Sequence, residues 1–121
     1  MARIFKSGEG WRIGWDPQAP EFQGLLGTDA WAIELTQAEL DDFCRLALQL
    51  ADTMRDMQAE LMDEEAINLE AESDRLWLEV EGFPEAYSLR FILQSGRRAE
   101  GMWPADLVPA LLGAMRSLQV W

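Results

Sequence analysis

The ten residues WAIELTQAEL, Trp31 to Leu40, change their periodicity in the middle, and that change decides the fold. From Ala30, just before this stretch, to Leu35 the side chains alternate in the pattern of a strand with one buried face: Trp31, Ile33 and Leu35 turn inward. From Thr36 the repeat lengthens to that of a helix. Thr36-Gln37-Ala38-Glu39 has the form of a capping box, in which the Thr hydroxyl and the Glu carboxylate each accept a free backbone N–H. The apolar stripe Leu40, Phe43, Cys44, Ala47, Leu50, Ala51, Met54, Met57 and Leu61 predicts a helix to about Met62. Cys44 falls inside that stripe, which argues against a reactive thiol, and a lone cysteine fits a reducing compartment.

Working upstream, GWRIGWDP (residues 10–17) alternates in the same way, with Trp11, Ile13 and Trp15 on one face and Arg12, Gly14 and Asp16 on the other. The bland reading of Trp11 and Trp15 as core outweighs a stacking platform, because exposed large aromatics are the less common case. Arg3 to Lys6 predicts a short strand before the turn Ser7-Gly8-Glu9-Gly10, and Glu21 to Leu26 a weaker one after Pro17 and Pro20. Downstream, Ile67, Leu69 and Ala71, then Leu76, Leu78 and Val80, then Leu89, Phe91 and Leu93 point inward on successive strands, with a tight hairpin at Ser73-Asp74-Arg75.

Parity constrains the next connection. A three-residue loop, Ser95-Gly96-Arg97, sets Ile92 opposite Glu100 and keeps charge off the core face. A connection from Gly82 to Ala86 brings Glu79 and Arg90 together on the outer face. Pro104 and Asp106 open a second helix with Leu107, Val108, Leu111, Leu112, Met115 and Leu118 on one side. The order is four strands and a helix, twice: an α+β fold of two β4-α units (1–66 and 67–121), two antiparallel sheets packed with one long central helix and one C-terminal helix, in a single domain spanning residues 1–121.

Composition excludes more chemistry than it offers. With no histidine and one cysteine, His-based general bases, catalytic triads, and His- or Cys-rich zinc sites are all absent. Gly8-x-Gly10 precedes a strand, whereas a dinucleotide fingerprint follows one, and there is no Walker-type loop. The sequence therefore predicts no enzyme, no catalytic residue, no cofactor and no metal site beyond weak Mg²⁺ or Ca²⁺ association. No run of residues is long and apolar enough to cross a bilayer, and the start MARIFKSGEG has no signal-peptide core, so a cytoplasmic protein is expected.

Charge points to the candidate sites. The 10 basic and 22 acidic residues give a net −12. Residues 36–66 alone hold two basic and nine acidic groups, a net −7. Asp52, Asp56 and Glu60 stack at i, i+4 and i+8, and Asp63-Glu64-Glu65 add negative charge at the helix C-terminus, where the helix dipole disfavours it. Such an acidic run serves solubility in the ordinary case. Here it also marks a candidate surface for a basic protein partner, together with Trp77, which parity places among outward glutamates. The alternative is a single-stranded nucleic-acid site formed by Trp11, Trp15, Arg12, Arg90, Arg97 and Arg98, which an acidic protein with few cations disfavours. A monomer is expected, with the apolar end Val120-Trp121 packed over the second sheet beside its own helix; a dimer through that end is the alternative.

Several segments together, GWRIGWDP, WAIELTQAELDDFCRL, LMDEE, EAESDRLWLE, YSLRFIL, GRRAEG and the WP at residues 103–104, resemble a small family of cyanobacterial proteins known as a domain of unknown function. The resemblance covers nearly the whole chain. It implies a fold similar to that of the single-stranded-DNA-binding transcriptional regulators, the plastid Whirly proteins and the positive coactivator of eukaryotic transcription. Whirly proteins engage nucleic acid with a lysine-rich strand motif, and the single lysine here, Lys6, has no such context. Fold therefore carries no binding residue across.

Overall fold

A computed structural model of the chain describes residues 3–58 and 65–118. Four strands, β1 (Ile4–Gly8), β2 (Trp11–Trp15), β3 (Gly24–Gly27) and β4 (Ala32–Leu35), precede the helix α1 (Gln37–Met57). Four more, β5 (Ile67–Glu72), β6 (Leu76–Phe83), β7 (Ala86–Leu93) and β8 (Ala99–Trp103), precede α2 (Val108–Leu118). Each set forms one antiparallel sheet whose strand order follows the chain. The α+β class and the twofold β4-α order are as the periodicity predicts.

The differences from the sequence reading lie in the turns. The first turn is only Glu9-Gly10, not Ser7 to Gly10: β1 continues through Gly8 because that glycine leaves room for the Trp11 ring lying against it. Gly10, at φ 84°, takes the left-handed conformation the turn needs. The third strand starts at Gly24, not Glu21, because the Asp16 N–H donates to the Gln23 carbonyl at 2.7 Å and closes residues 16–23 into a loop. The Gln23 side chain holds that loop, donating to the Ala19 carbonyl and accepting from the Gln37 N–H, both at 3.0 Å. Between β6 and β7 the connection is the two residues Pro84-Glu85, since Phe83 pairs with Ala86. Gly82, at φ 139°, lets the Ala86–Tyr87 backbone approach closely, so pairing extends further than the sequence predicts. The loop before β8 obeys the parity argument: Ile92 opposes Glu100.

One hydrophobic cluster joins both units. The helix α1 packs against β5 and β6 of the second sheet and β3 and β4 of the first, while α2 lies on β1 and β2 and reaches β7. The edges β4 and β8 are joined by side chains. The Trp103 indole N–H donates to the Gly27 carbonyl at 3.0 Å, Arg97 donates to the Glu34 carbonyl at 3.1 Å, and the Trp31 ring lies where a side chain on Gly101 would be. Trp31, Phe43, Phe91 and Trp103 form an aromatic cluster there, with ring centroids 5.3–6.0 Å apart. Trp103 is fully buried, and its polar edge is satisfied, as a buried indole requires.

The start of α1 fastens the second sheet. The capping box forms as predicted, with Thr36 Oγ1 accepting from the Glu39 N–H at 3.2 Å and Glu39 Oε1 accepting from the Thr36 N–H at 2.8 Å. Glu39 also accepts from Arg97 at 2.6 Å and from the Ser95 hydroxyl at 2.9 Å, which explains how a carboxylate 3% exposed stays ionised. Burial alone would raise its pKa, but the Arg97, Thr36 and Ser95 hydrogen bonds outweigh it and hold the group below its ordinary value. Asp42 repeats the device on the neighbouring hairpin. It accepts from the Ser73 hydroxyl at 2.7 Å, Arg75 at 3.2 Å and Arg45 at 3.3 Å, and these bonds lower its pKa against the opposing effect of burial. Asp41 has no such partners: burial, and then the charge of Asp42, raise its pKa.

Candidate interaction surface

The structure separates the groups of the nucleic-acid alternative. Trp15 is 6% exposed and Trp11 half-buried on the inner face of the first sheet, so both belong to the core. Arg12 lies on the opposite face, where Nε donates to the Thr28 carbonyl at 2.9 Å and the terminal nitrogen to the Trp31 carbonyl at 3.0 Å. Arg97 is at the seam, bound to Glu39 and Glu34 and lying over the Phe22 ring at 4.5 Å. Arg90 is on the outer face of the second sheet, and Arg98 lies in the turn before β8, at φ 48°. Arg98 is exposed and has no ion pair among the described residues. The six residues therefore do not converge on one groove.

The acidic column of α1 is partly neutralised where it is described. Asp52 and Asp56 are exposed, and Arg55 pairs with both, at 3.2 and 3.9 Å. Glu65 is exposed, and Glu60, Asp63 and Glu64 lie outside the described residues, as do Leu61, Val120 and Trp121. Cys44 is buried, and burial, then the nearby Asp41, push its thiol pKa upward, which leaves no reactive thiolate.

Trp77 sits in a built environment. Its indole N–H donates to Glu70 Oε1 at 2.7 Å, and the Arg90 guanidinium lies over its ring at 5.0 Å while pairing with Glu79 at 3.5 Å. The pairing of Glu79 with Arg90 follows from direct opposition of the two residues on β6 and β7. Asn68 completes this patch by donating to the other Glu79 oxygen at 2.8 Å.

Register arranges the outer face in rows across the strands. One row reads Glu72, Trp77, Ile92, Glu100 from β5 to β8, and the next reads Glu70, Glu79, Arg90, Met102. Five carboxylates (Glu70, Glu72, Glu79, Glu81, Glu100) share this face with one strand cation, Arg90, and Arg98 stands in the turn beside it. Among the described residues Glu72, Glu81 and Glu100 have no side-chain hydrogen bond or ion pair. Beside Glu100 the face runs into a shallow depression of about 450 Å³ lined by Ile92, Gln94 and Arg98. Ile92 and Met102, the latter 45% exposed, were not read from the sequence as surface residues. The signal was available, because parity from the Ser95–Arg97 loop puts both on the same face as Trp77.

Among the described residues no helix is long and apolar enough to cross a membrane, and no group of acidic or sulfur side chains is placed to hold a metal ion.

These features define a small α+β domain of two four-stranded antiparallel sheets, with an acidic, apolar-centred outer face on the second sheet. Residues 6–118 match the domain of unknown function DUF1818, and the chain belongs to that family. It is also similar to a protein of unknown function from the cyanobacterium Prochlorococcus sp. NATL2A, described as a member of the DUF155 family. The two are 34% identical over 95% of this chain and 98% of that one, and their structures superpose with a TM-score of 0.90. No curated protein matches the chain.

Proposed function

We propose that the protein is a non-enzymatic, cytoplasmic interaction domain that holds a basic protein partner on the outer face of its second sheet, with the acidic turn of α1 at Asp52 and Asp56 as a subsidiary contact. One observation carries this reading. Among the described residues Glu72, Glu81 and Glu100 have no partner around the apolar side chains Trp77, Ile92 and Met102, whereas Arg12 and Arg97 are committed to internal carbonyls and carboxylates. An apolar centre with a charged rim is the anatomy of a protein contact, and the sign of the rim selects a basic partner. Affinity capture from a cyanobacterial lysate tests it. A protein retained after nuclease treatment and lost from the Trp77→Ala variant is expected; capture that vanishes with nuclease, or that ignores Trp77, overturns it.

The repeated β4-α order favours a second reading, a single-stranded nucleic-acid regulator of the Whirly-like fold. Its weakness is the supply of cations. Backbone affinity depends on phosphates neutralised, and here Arg90 is paired with Glu79 and Arg98 stands alone among carboxylates. Fluorescence anisotropy with labelled single strands at about 0.15 M salt is expected to show no saturable binding.

A further inference from the structure

We propose that the partner presents an amphipathic helix that crosses the strands of the second sheet, carrying basic, apolar, apolar and basic side chains at successive one-turn intervals. This rests on the outer-face reading of the function. The template is the row Glu72, Trp77, Ile92, Glu100: two carboxylates without partners among the described residues at the ends and two apolar groups between them. Adjacent strands lie about 4.8 Å apart, so the row spans about 14 Å. A helix repeats a face every 5.4 Å or so, and an extended chain about every 6.7 Å. Over three intervals the helix overshoots the row by about 2 Å, within reach of a flexible Lys or Arg stem, while an extended chain overshoots by nearly 6 Å. The helix is the better match.

The neighbouring charges restrict the pattern further. Arg90, in the next row, stacks on Trp77 and pairs with Glu79, so it repels any third basic group placed near the centre. Arg98, in the turn before β8, lines the depression beside Glu100 and weakens the attraction at that end. Glu70 accepts the Trp77 N–H and Arg90 lies over its ring, so the half-buried indole is held in one orientation before the helix arrives.

The test uses the full chain and defined probes. A labelled alanine-rich helical peptide carries arginine, leucine, leucine and arginine at i, i+4, i+7 and i+11. A second has the same composition with its arginines adjacent, a third presents the alternating arginine–leucine pattern in an extended, proline-containing frame, and a fourth probe is a single-stranded oligonucleotide. The patterned helix is expected to bind roughly tenfold more tightly than either peptide control, as two added charge pairs would give. Glu72→Gln and Glu100→Gln should each weaken it severalfold, Trp77→Ala should abolish it, and Arg98→Ala should strengthen it, with thermal melts confirming that every variant is folded. Equal binding of the scrambled or extended peptide, indifference to Glu72→Gln and Glu100→Gln, or preference for the oligonucleotide overturns the proposal. If the patterned helix fails while lysate capture still depends on Trp77, the helical partner is wrong and the interaction reading survives; if that dependence fails too, both fall.

Discussion

On the outer face of the first sheet, Arg12 turns back to the Thr28 and Trp31 carbonyls, and Phe5 lies over Gly14, which has no side chain. On the outer face of the second, Arg90 stays at the surface over Trp77, and three nearby glutamates have no partner among the described residues. Both sheets have four strands in chain order, and both bury an inner face against the same helix. What differs is the number of outward carboxylates on the strands, Glu34 alone on the first sheet against Glu70, Glu72, Glu79, Glu81 and Glu100 on the second. The first sheet uses its arginine to hold a turn, and the second leaves carboxylates to solvent or to a partner. Equal topology thus does not make equal surfaces, and function follows the side chains rather than the strand order.

The largest expected effect breaks the joint between the two sheets. Trp103→Ala should cost about 3–5 kcal/mol, the usual range for emptying a buried aromatic site, and it also leaves the Gly27 carbonyl without its donor. Denaturant unfolding measures this, and a loss below 1 kcal/mol would mean that the sheets do not depend on this seam.

Next come two arginines that both contact glutamates. Arg97→Ala should cost about 2–3 kcal/mol, because Glu39 stays buried without its main cation; the value lies below the 3–5 kcal/mol of a fully buried pair since Arg97 is itself 36% exposed. Arg90→Ala, which breaks a surface pair, should cost under about 1 kcal/mol. Similar losses from the two variants would erase the distinction between a structural and a surface arginine.

Acid titration sharpens the same contrast. Glu39 and Asp42 have folded-state pKa values below their ordinary 4.5 and 3.8, so their stabilisation is complete above those values and is lost as the pH falls through and below them. Asp41, raised above 3.8, acts in the opposite sense and offsets part of the loss. The double variant Glu39→Gln, Asp42→Asn should therefore be less stable at neutral pH but lose less stability than the native chain between about pH 6 and pH 3. Parallel pH profiles would show that the two clamps do not set the acid limb. The smallest effect is expected at Arg55→Ala, within about 0.5 kcal/mol, because its pairs with Asp52 and Asp56 are exposed.

The inner faces were legible in the sequence because alternation and helical periodicity record burial directly: Ile13, Leu35, Phe43, Leu78 and Phe91 lie where those periods put them. The Glu79–Arg90 pair and the opposition of Ile92 to Glu100 were legible for a related reason, since register carries parity across a hairpin. The lengths of the first turn and of the β6–β7 turn were not, because Gly8 and Gly82 act through close approaches to the facing strand, which composition does not reveal. Arg97 and Arg12 read as available cations in the chain, and only three-dimensional placement shows that their donors are used internally. The burial of Glu39 was hidden in the same way: its capping role was plain, and its bond to a loop 58 residues away was not.

Site-specific photo-crosslinking in cells decides whether the second sheet, and not the first, carries the partner. A photoreactive residue at Ile92 samples the outer face of the second sheet, and one at Leu25 samples that of the first. A nuclease-resistant protein adduct from position 92 and none from position 25 is predicted. An adduct from position 25 alone, or one that nuclease removes, would contradict it.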